Sequence, residues 1–348
     1  MIERLFFAVS WVLWRVFFAR RAVPADPRSI LVIKLDHIGD GILVTPVFEN
    51  LRRRYPNARI DLLCARWNRP AFVGNPHIDR IMEFNPRTFR RDGRPCDAAA
   101  RKWRALEAMR GQYALTFTLR GTWLTLLLAC RCWVDSGALR IDARVSGGRP
   151  PAHETDAALA LLERVGIQAP QRLPAYYCSD ADSAAVADLL DRLGVPDDER
   201  LVALHVGSPV AAKRWMPMRF ARLADQLARA GYTVLLVGAI VEEPLIVDVQ
   251  ELAESRPVGL AGKTTFSQTA ALLSRCHGFV GNDSAPNHLA AAVGIPTVGM
   301  YYRSDPVRFG ARGKHVRLLT ARDPRAMEVD DVYAALEQLM AEAAPGCS

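Results

Sequence analysis

At 348 residues, half of them apolar, the chain exceeds one ordinary hydrophobic core and predicts two domains of roughly 150 residues each. The 45 basic residues outweigh 37 acidic ones by +8 and only five of them are lysines, an arginine excess that fits an anionic substrate, a membrane surface or simply a GC-rich genome. Seven scattered cysteines, Cys64, Cys96, Cys130, Cys132, Cys178, Cys276 and Cys347, show neither zinc spacing nor a disulfide framework, which argues against a stapled secreted scaffold and for a reducing, cytosolic compartment.

The first predicted element is an amphipathic helix over residues 1–23, in "MIERLFFAVSWVLWRVFFARRAV". Arg15 interrupts it, so no apolar run reaches the roughly 20 residues of a spanning helix. At 100° per residue Arg4 and Arg15 fall about 20° apart, a narrow cationic stripe on a greasy aromatic helix. The pattern suits a helix in the cytoplasmic headgroup layer; a helix packed on its own domain is the alternative. Arg15 and a poor small-residue cleavage site argue against a secretory signal.

From Ser29 onward, β-branched runs alternate with amphipathic stretches. Ile30 to Leu35 reads as a buried strand, Ile42 to Tyr55 as a helix, and Arg59 to Cys64 as the next strand. Such alternation argues for parallel βαβ units. Asn85 to Arg110 is strongly basic, Gly121 to Val134 is apolar enough for a buried helix, and Ala157 to Val165 reads as a helix. Residues 171–182 form a proline-bearing linker. A second alternating run then follows: strands at Leu201 to Val206, "YTVLLVG", "GFVGND" and "IPTVGMY", with helices at "MPMRFARLADQLARAG", "FSQTAALLSRC" and "APNHLAAAVG". The predicted fold class is α/β, with two Rossmann-like doubly wound domains over residues 24–170 and 183–325 and a C-terminal helix within 326–348. Ligands in such sheets sit at strand carboxyl ends, so a cleft between the domains is the expected site.

Three stretches could carry chemistry. In "DHIGDG", Gly39 and Gly41 permit a tight turn and close approach of a ligand, and Asp40 stands at a helix entrance. Val44 occupies the place of the third glycine of a dinucleotide fingerprint, and there is no phosphate-loop lysine motif. Asp40 is therefore either a helix cap or a general base. In "HVGSPVAAKRWMP", Lys213 and Arg214 precede a helix and read as a phosphate site or as a solvated loop. In "GNDSAPNHLAAAVGIPTVGMY", Asp283 and the Ser284 hydroxyl at a helix start could hold an anion, with His288 one turn in, either aimed at the same spot or structural.

In this order and spacing the three stretches resemble the heptosyltransferase family of glycosyltransferases (glycosyltransferase family 9), the ADP-heptose enzymes of lipopolysaccharide core assembly. The resemblance runs over about residues 29–310. It implies a GT-B fold with an acceptor-binding N-terminal half and a nucleotide-sugar-binding C-terminal half. The implied reaction inverts the anomeric centre without a metal or other cofactor, moving heptose from ADP-heptose to a Kdo or heptose of the core. Asp40 would be the catalytic base. Lys213 would neutralise the departing diphosphate, with Ser208, Asp283, Ser284, Ala285 and His288 around it. Glu242 or Glu243 would grip the ribose. Lys34, Gly39, Arg90, Arg91, Arg94 and Arg120 fall to the acceptor side. The enzyme would then be cytoplasmic and peripheral to the inner membrane, with no nucleic-acid partner, since the net charge has no recognisable module behind it.

The chain departs from the family pattern twice: Ala285 replaces a glycine, and Tyr302, Arg303 and Ser304 replace the glycine after "VGMY". These bear on the donor's identity. A same-fold transferase using another nucleotide sugar, or a non-catalytic envelope-assembly binding protein, are the rival readings, and the pairing of Asp40 with Lys213 argues against the second. Asp36 and His37 beside Asp40 could hint at a metal, but the family needs none, and Asp36 reads as a loop carboxylate.

Overall fold

The computed structural model describes residues 24–85, 98, 112–119, 133–135 and 152–344, and the chain divides into two compact units, residues 1–172 and 173–348. The N-terminal helix expected over residues 1–23, Arg90, Arg91, Arg94 and Arg120, and most of the expected helix from Gly121 lie outside the described residues.

In the first unit the elements are β1 (Ser29–Lys34), α1 (Ile38–Ile42), α2 (Pro46–Arg54), β2 (Arg59–Cys64), β3 (Arg80–Glu83), β4 (Leu115–Thr118), β5 (Trp133–Asp135) and α3 (Glu154–Arg164). The five strands are parallel, in the order β3-β2-β1-β4-β5. The central strand β1 is buried along almost its whole length, as an unbroken apolar run must be when both faces of a parallel sheet are covered. Its Leu31 and Ile33 pack with Leu35, Leu63, Phe84 and Tyr113.

Two expectations change here. The single helix over Ile42 to Tyr55 is two helices, because Pro46 at the first turn of α2 lacks the N–H that would continue the ladder from α1. Trp133 and Val134, read as the end of a buried helix, instead add a strand beside β4 in the register Thr116↔Trp133 and Phe117↔Val134. A short apolar run does not distinguish a buried strand from a buried helix by its period.

The second unit comprises α4 (Asp180–Arg192), β6 (Leu201–His205), α5 (Pro217–Arg229), β7 (Thr233–Val237), α6 (Glu243–Leu252), β8 (Val258–Gly259), α7 (Phe266–Ser274), β9 (Gly278–Asn282), α8 (Ala285–Val293), β10 (Thr297–Tyr301), α9 (Pro306–Phe309), β11 (Val316–Thr320) and α10 (Val329–Ala343). Its six parallel strands run β11-β10-β9-β6-β7-β8, the doubly wound order in which strand succession reverses between β6 and β9. Trp215 is buried edge-on to Phe220 with centroids 5.0 Å apart and shares a core with Leu204, Leu236, Met300 and Leu336. Burial of each such side chain is worth roughly 1.5–3 kcal/mol.

The connector expected over residues 171–182 is largely part of this unit. Tyr176 N–H donates to the Ala292 carbonyl at 3.3 Å and its ring meets Phe266 at 5.9 Å. Ser179 and Asp182 then form a capping box that opens α4.

Candidate functional site

In the first unit, the end of β1 runs into α1. Lys34, the last residue of β1, is fully buried, with its Nζ 3.0 Å from the Asp36 carboxylate, itself 1% exposed. Removing a charge pair from water is costly, so such a pair persists only when its geometry is held. Asn68 donates to the Lys34 carbonyl at 3.0 Å and Trp67 Nε1–H to the Asp36 carbonyl at 2.8 Å. Asp36 is thus a loop carboxylate, as expected, but a buried one, ion-paired with Lys34.

Asp40 is the third residue of α1 and half-buried. The helix before which it was expected to stand begins earlier, at Ile38, so the carboxylate lies inside the helical turn and does not cap α2, whose N-cap is Thr45. Neither Gly39 nor Gly41 takes a left-handed backbone. Gly41 is closely packed: a Cβ there would lie 3.1 Å from the Ala71 Cβ and from the Phe72 ring, so those neighbours would have to give by a few tenths of an ångström.

The second unit gathers the other candidates at the carboxyl ends of β6, β7 and β9. Lys213 is held by Asp283, Nζ to Oδ2 at 2.6 Å, and the Ser304 hydroxyl donates to the same oxygen. Arg214 Nε–H donates to the Ser208 carbonyl at 2.8 Å. Both cations are therefore fixed by partners within a loop that is itself partly exposed. Asn282, fully buried at the end of β9, ties the loop in place: its Oδ1 accepts from Trp215 N–H at 2.9 Å and its amide donates to the Val206 carbonyl at 2.9 Å. Ser208 is buried, Ala285 opens α8, and His288 is buried one turn along that helix.

Glu242 and Glu243 differ in their surroundings. Glu243 begins α6 and is exposed. Glu242 turns inward, accepting from Ala239 N–H at 2.9 Å and lying 3.2 Å from His205 Nε2. Burial pushes the Glu242 carboxyl up, but the His205 hydrogen bond and charge, the Ala239 N–H and Arg214 outweigh it and hold the group below its usual 4.5. A lowered carboxyl contributes stability above the usual value and loses it as pH falls through the lowered one. Glu242→Gln is expected to melt below wild type at neutral pH, with the gap closing in acid. A gap that persists unchanged in acid would show that ionisation plays no part.

The other ring nitrogen of His205 is 3.0 Å from the Ser284 hydroxyl, which also lies 3.1 Å from the Asn282 carbonyl. Ser284 is the N-cap of α8 yet its side chain does not cap it, leaving the first N–H groups of α8 without a side-chain cap. His205, Asn282 and Trp215 were not singled out from sequence, and Ser304 entered only as a departure from the family pattern. The one available signal was His205 itself, a polar residue ending an otherwise apolar strand. Among the described residues no three His, Cys, Asp or Glu side chains cluster to hold a metal ion, and no helix is long and apolar enough to cross a membrane.

Comparison with known proteins adds four findings. The profile of glycosyltransferase family 9 (heptosyltransferase) matches residues 142–334, just over half of the chain. Lipopolysaccharide heptosyltransferase 3 of Escherichia coli (strain K12) is 29% identical, over 88% of this chain and 96% of that protein. The crystal structure of a family 9 glycosyltransferase from Veillonella parvula superposes with a TM-score of 0.81 at 22% identity, covering 92% of this chain and 99% of that one. Escherichia coli heptosyltransferase WaaC, solved with ADP-2-deoxy-2-fluoro heptose, superposes at 0.68 and 18% identity over 91% of this chain and 100% of that one. At these identities the superpositions speak for the fold, which is GT-B.

Proposed function

Because the chain belongs to glycosyltransferase family 9, the heptosyltransferases, we propose that it transfers heptose from ADP-heptose to a sugar of a lipopolysaccharide core. The acceptor hydroxyl attacks the anomeric carbon with inversion, its proton passes to Asp40, and the bond to the diphosphate breaks to release ADP. The observation that carries the reading is the second unit's cluster at the point where strand order reverses, the place where open α/β sheets bind ligands. There Lys213, the Ser284 hydroxyl and the start of α8 meet the diphosphate charge without a metal, and Glu242 accepts from the ribose hydroxyls. Ser208, Asp283, Ala285 and His288 complete the donor side. Lys34 and Gly39 support the Asp40 turn, and Arg90, Arg91, Arg94 and Arg120 contact the anionic acceptor. Residues 1–23 hold the enzyme at the cytoplasmic face of the inner membrane.

Calorimetry with ADP-heptose, ADP and several UDP- and GDP-sugars tests the donor, followed by transfer to a truncated lipopolysaccharide core read by mass spectrometry. Selective binding of the ADP compounds and a gain of one heptose are expected. Selective binding of another nucleotide sugar would favour the second reading, for which Tyr302, buried where the family carries glycine, is the specific observation.

Gly207 supplies a further test. A Cβ there would fall 1.7 Å from Glu242 Oε1, so Gly207→Ala must drive the carboxylate away. Loss of a hydrogen bond to a charged group predicts a weakening of ADP binding of about tenfold. Unchanged affinity in a folded variant would remove Glu242 from the donor site.

A further inference from the structure

Trp67 stands three residues past β2, in the loop at the carboxyl end of that strand, the end of an open parallel sheet where ligands sit. The stretch from Ala65 to Phe72 is fastened along the turn that carries Asp40. Asn68, fully buried, donates from its amide to the Lys34 carbonyl at 3.0 Å and accepts from Ala65 N–H at 2.9 Å. Ala71 and the Phe72 ring lie against Gly41, the neighbour of Asp40. Arg66 N–H donates to Asn85 Oδ1 at 2.9 Å, which ties the same loop to the stretch after β3.

Within this frame the Trp67 indole is oriented by one hydrogen bond, from Nε1–H to the Asp36 carbonyl at 2.8 Å, four residues before Asp40. The side chain is only partly buried, and among the described residues no aromatic ring or cation stacks on it. Trp215 shows what a purely structural tryptophan does in this molecule. Its N–H also meets a backbone carbonyl, that of Met327 at 3.0 Å, but its ring is buried and packs edge-on to Phe220. Trp67 instead has its polar handle engaged by the backbone while part of its ring stays in water, the arrangement of an aromatic side chain with one face on offer. The face of an aromatic ring carries negative charge. A pyranose ring turns several weakly positive C–H groups to one side, so the two stack while the sugar hydroxyls stay free to bond elsewhere.

We propose that Trp67 is a stacking platform for a sugar ring of the acceptor, holding that ring beside the Asp40 turn. The inference rests on the reading that Asp40 is the base and that the first unit binds the acceptor. It deepens that reading by naming a residue that recognises the acceptor through the shape of its sugar ring, where the arginines recognise its charge.

The test is heptose transfer from ADP-heptose to a truncated lipopolysaccharide core by the full chain, for wild type, Trp67→Phe and Trp67→Leu, with KM measured separately for acceptor and donor. Trp67→Phe keeps an aromatic face and loses the N–H; Trp67→Leu keeps apolar bulk and loses both, so the pair separates stacking from anchoring. Trp67→Leu is expected to raise the acceptor KM about tenfold or more, as loss of an aromatic anchor does, with donor KM and ADP affinity unchanged. Trp67→Phe is expected to recover most of that loss. The same acceptor KM in all three proteins would overturn the platform, and so would an equal rise in both variants, which would assign the effect to the N–H. Should Trp67→Leu fail to fold, wild type labelled with fluorotryptophan decides. Its Trp67 resonance, identified by its absence from labelled Trp67→Phe, is expected to shift when the truncated core is added, and an unmoved resonance would overturn the proposal. A folded wild type that transfers no heptose would overturn the transferase reading, and the platform with it.

Discussion

Asp40→Asn is expected to lower the rate of heptose transfer by about 10²- to 10⁴-fold, the usual contribution of a positioned proton acceptor, while ADP affinity and melting temperature stay near wild type. The substitution is isosteric, and Asp40 sits half-buried within α1 on a backbone held by the Lys34–Asp36 pair and by Gly41 against Phe72. An amide fits the same space but accepts no proton, so the loss should fall on kcat and leave donor binding alone. Transfer at a wild-type rate would show that another group takes the proton. A collapse in melting temperature would show instead that Asp40 holds the turn together.

Lys213→Ala is expected to act on both binding and chemistry. A hydrogen bond to a charged group contributes about 1.5–3 kcal/mol, which corresponds to a loss of roughly 10- to 150-fold in ADP affinity. A further fall of about 10²-fold or more in kcat is expected, because charge builds on the leaving diphosphate as the sugar departs and one preorganised donor is typically worth that much. Lys213 is 25% exposed and already 2.6 Å from Asp283, so the ammonium is positioned before a ligand arrives. The truncation leaves Asp283 with Ser304, and Asp283→Asn serves as a control for the stranded carboxylate. If kcat and ADP affinity both survive in Lys213→Ala, the phosphate charge is met elsewhere.

What was legible along the chain was whatever depends on neighbours in sequence. The strands β1, β2, β6, β7, β9 and β10 are compact β-branched or apolar runs, and each was identified within a residue or two of its observed bounds. The helices α4 and α6 were not read: α4 is rich in Asp and Ala, with only Val186 and Leu190 buried, and α6 buries only Ile246 and Val249. Such narrow buried stripes give little periodic signal. The strands β3 and β11 were missed for a related reason, since they lie at sheet edges and are only partly buried.

Fold class, the two alternating runs, and the three glycine- and charge-bearing turns that follow strands could be read from local residues alone, because secondary structure and turn chemistry are set over a few residues. The same local reading gave the residue types available for a base and a phosphate site. Which side chains meet is set by the three-dimensional packing. Sheet order places β6 between β7 and β9, and this brings His205 onto Glu242, 37 residues away, and Ser284, 79 residues away. It turned Glu242 toward His205 and left Glu243 exposed, made Asp36 the buried partner of Lys34, and matched Lys213 with Asp283. Those pairings are long-range hydrogen bonds and ion pairs in a buried setting, where each group must find a partner or stay in water, and no local pattern of residues encodes which partner that is.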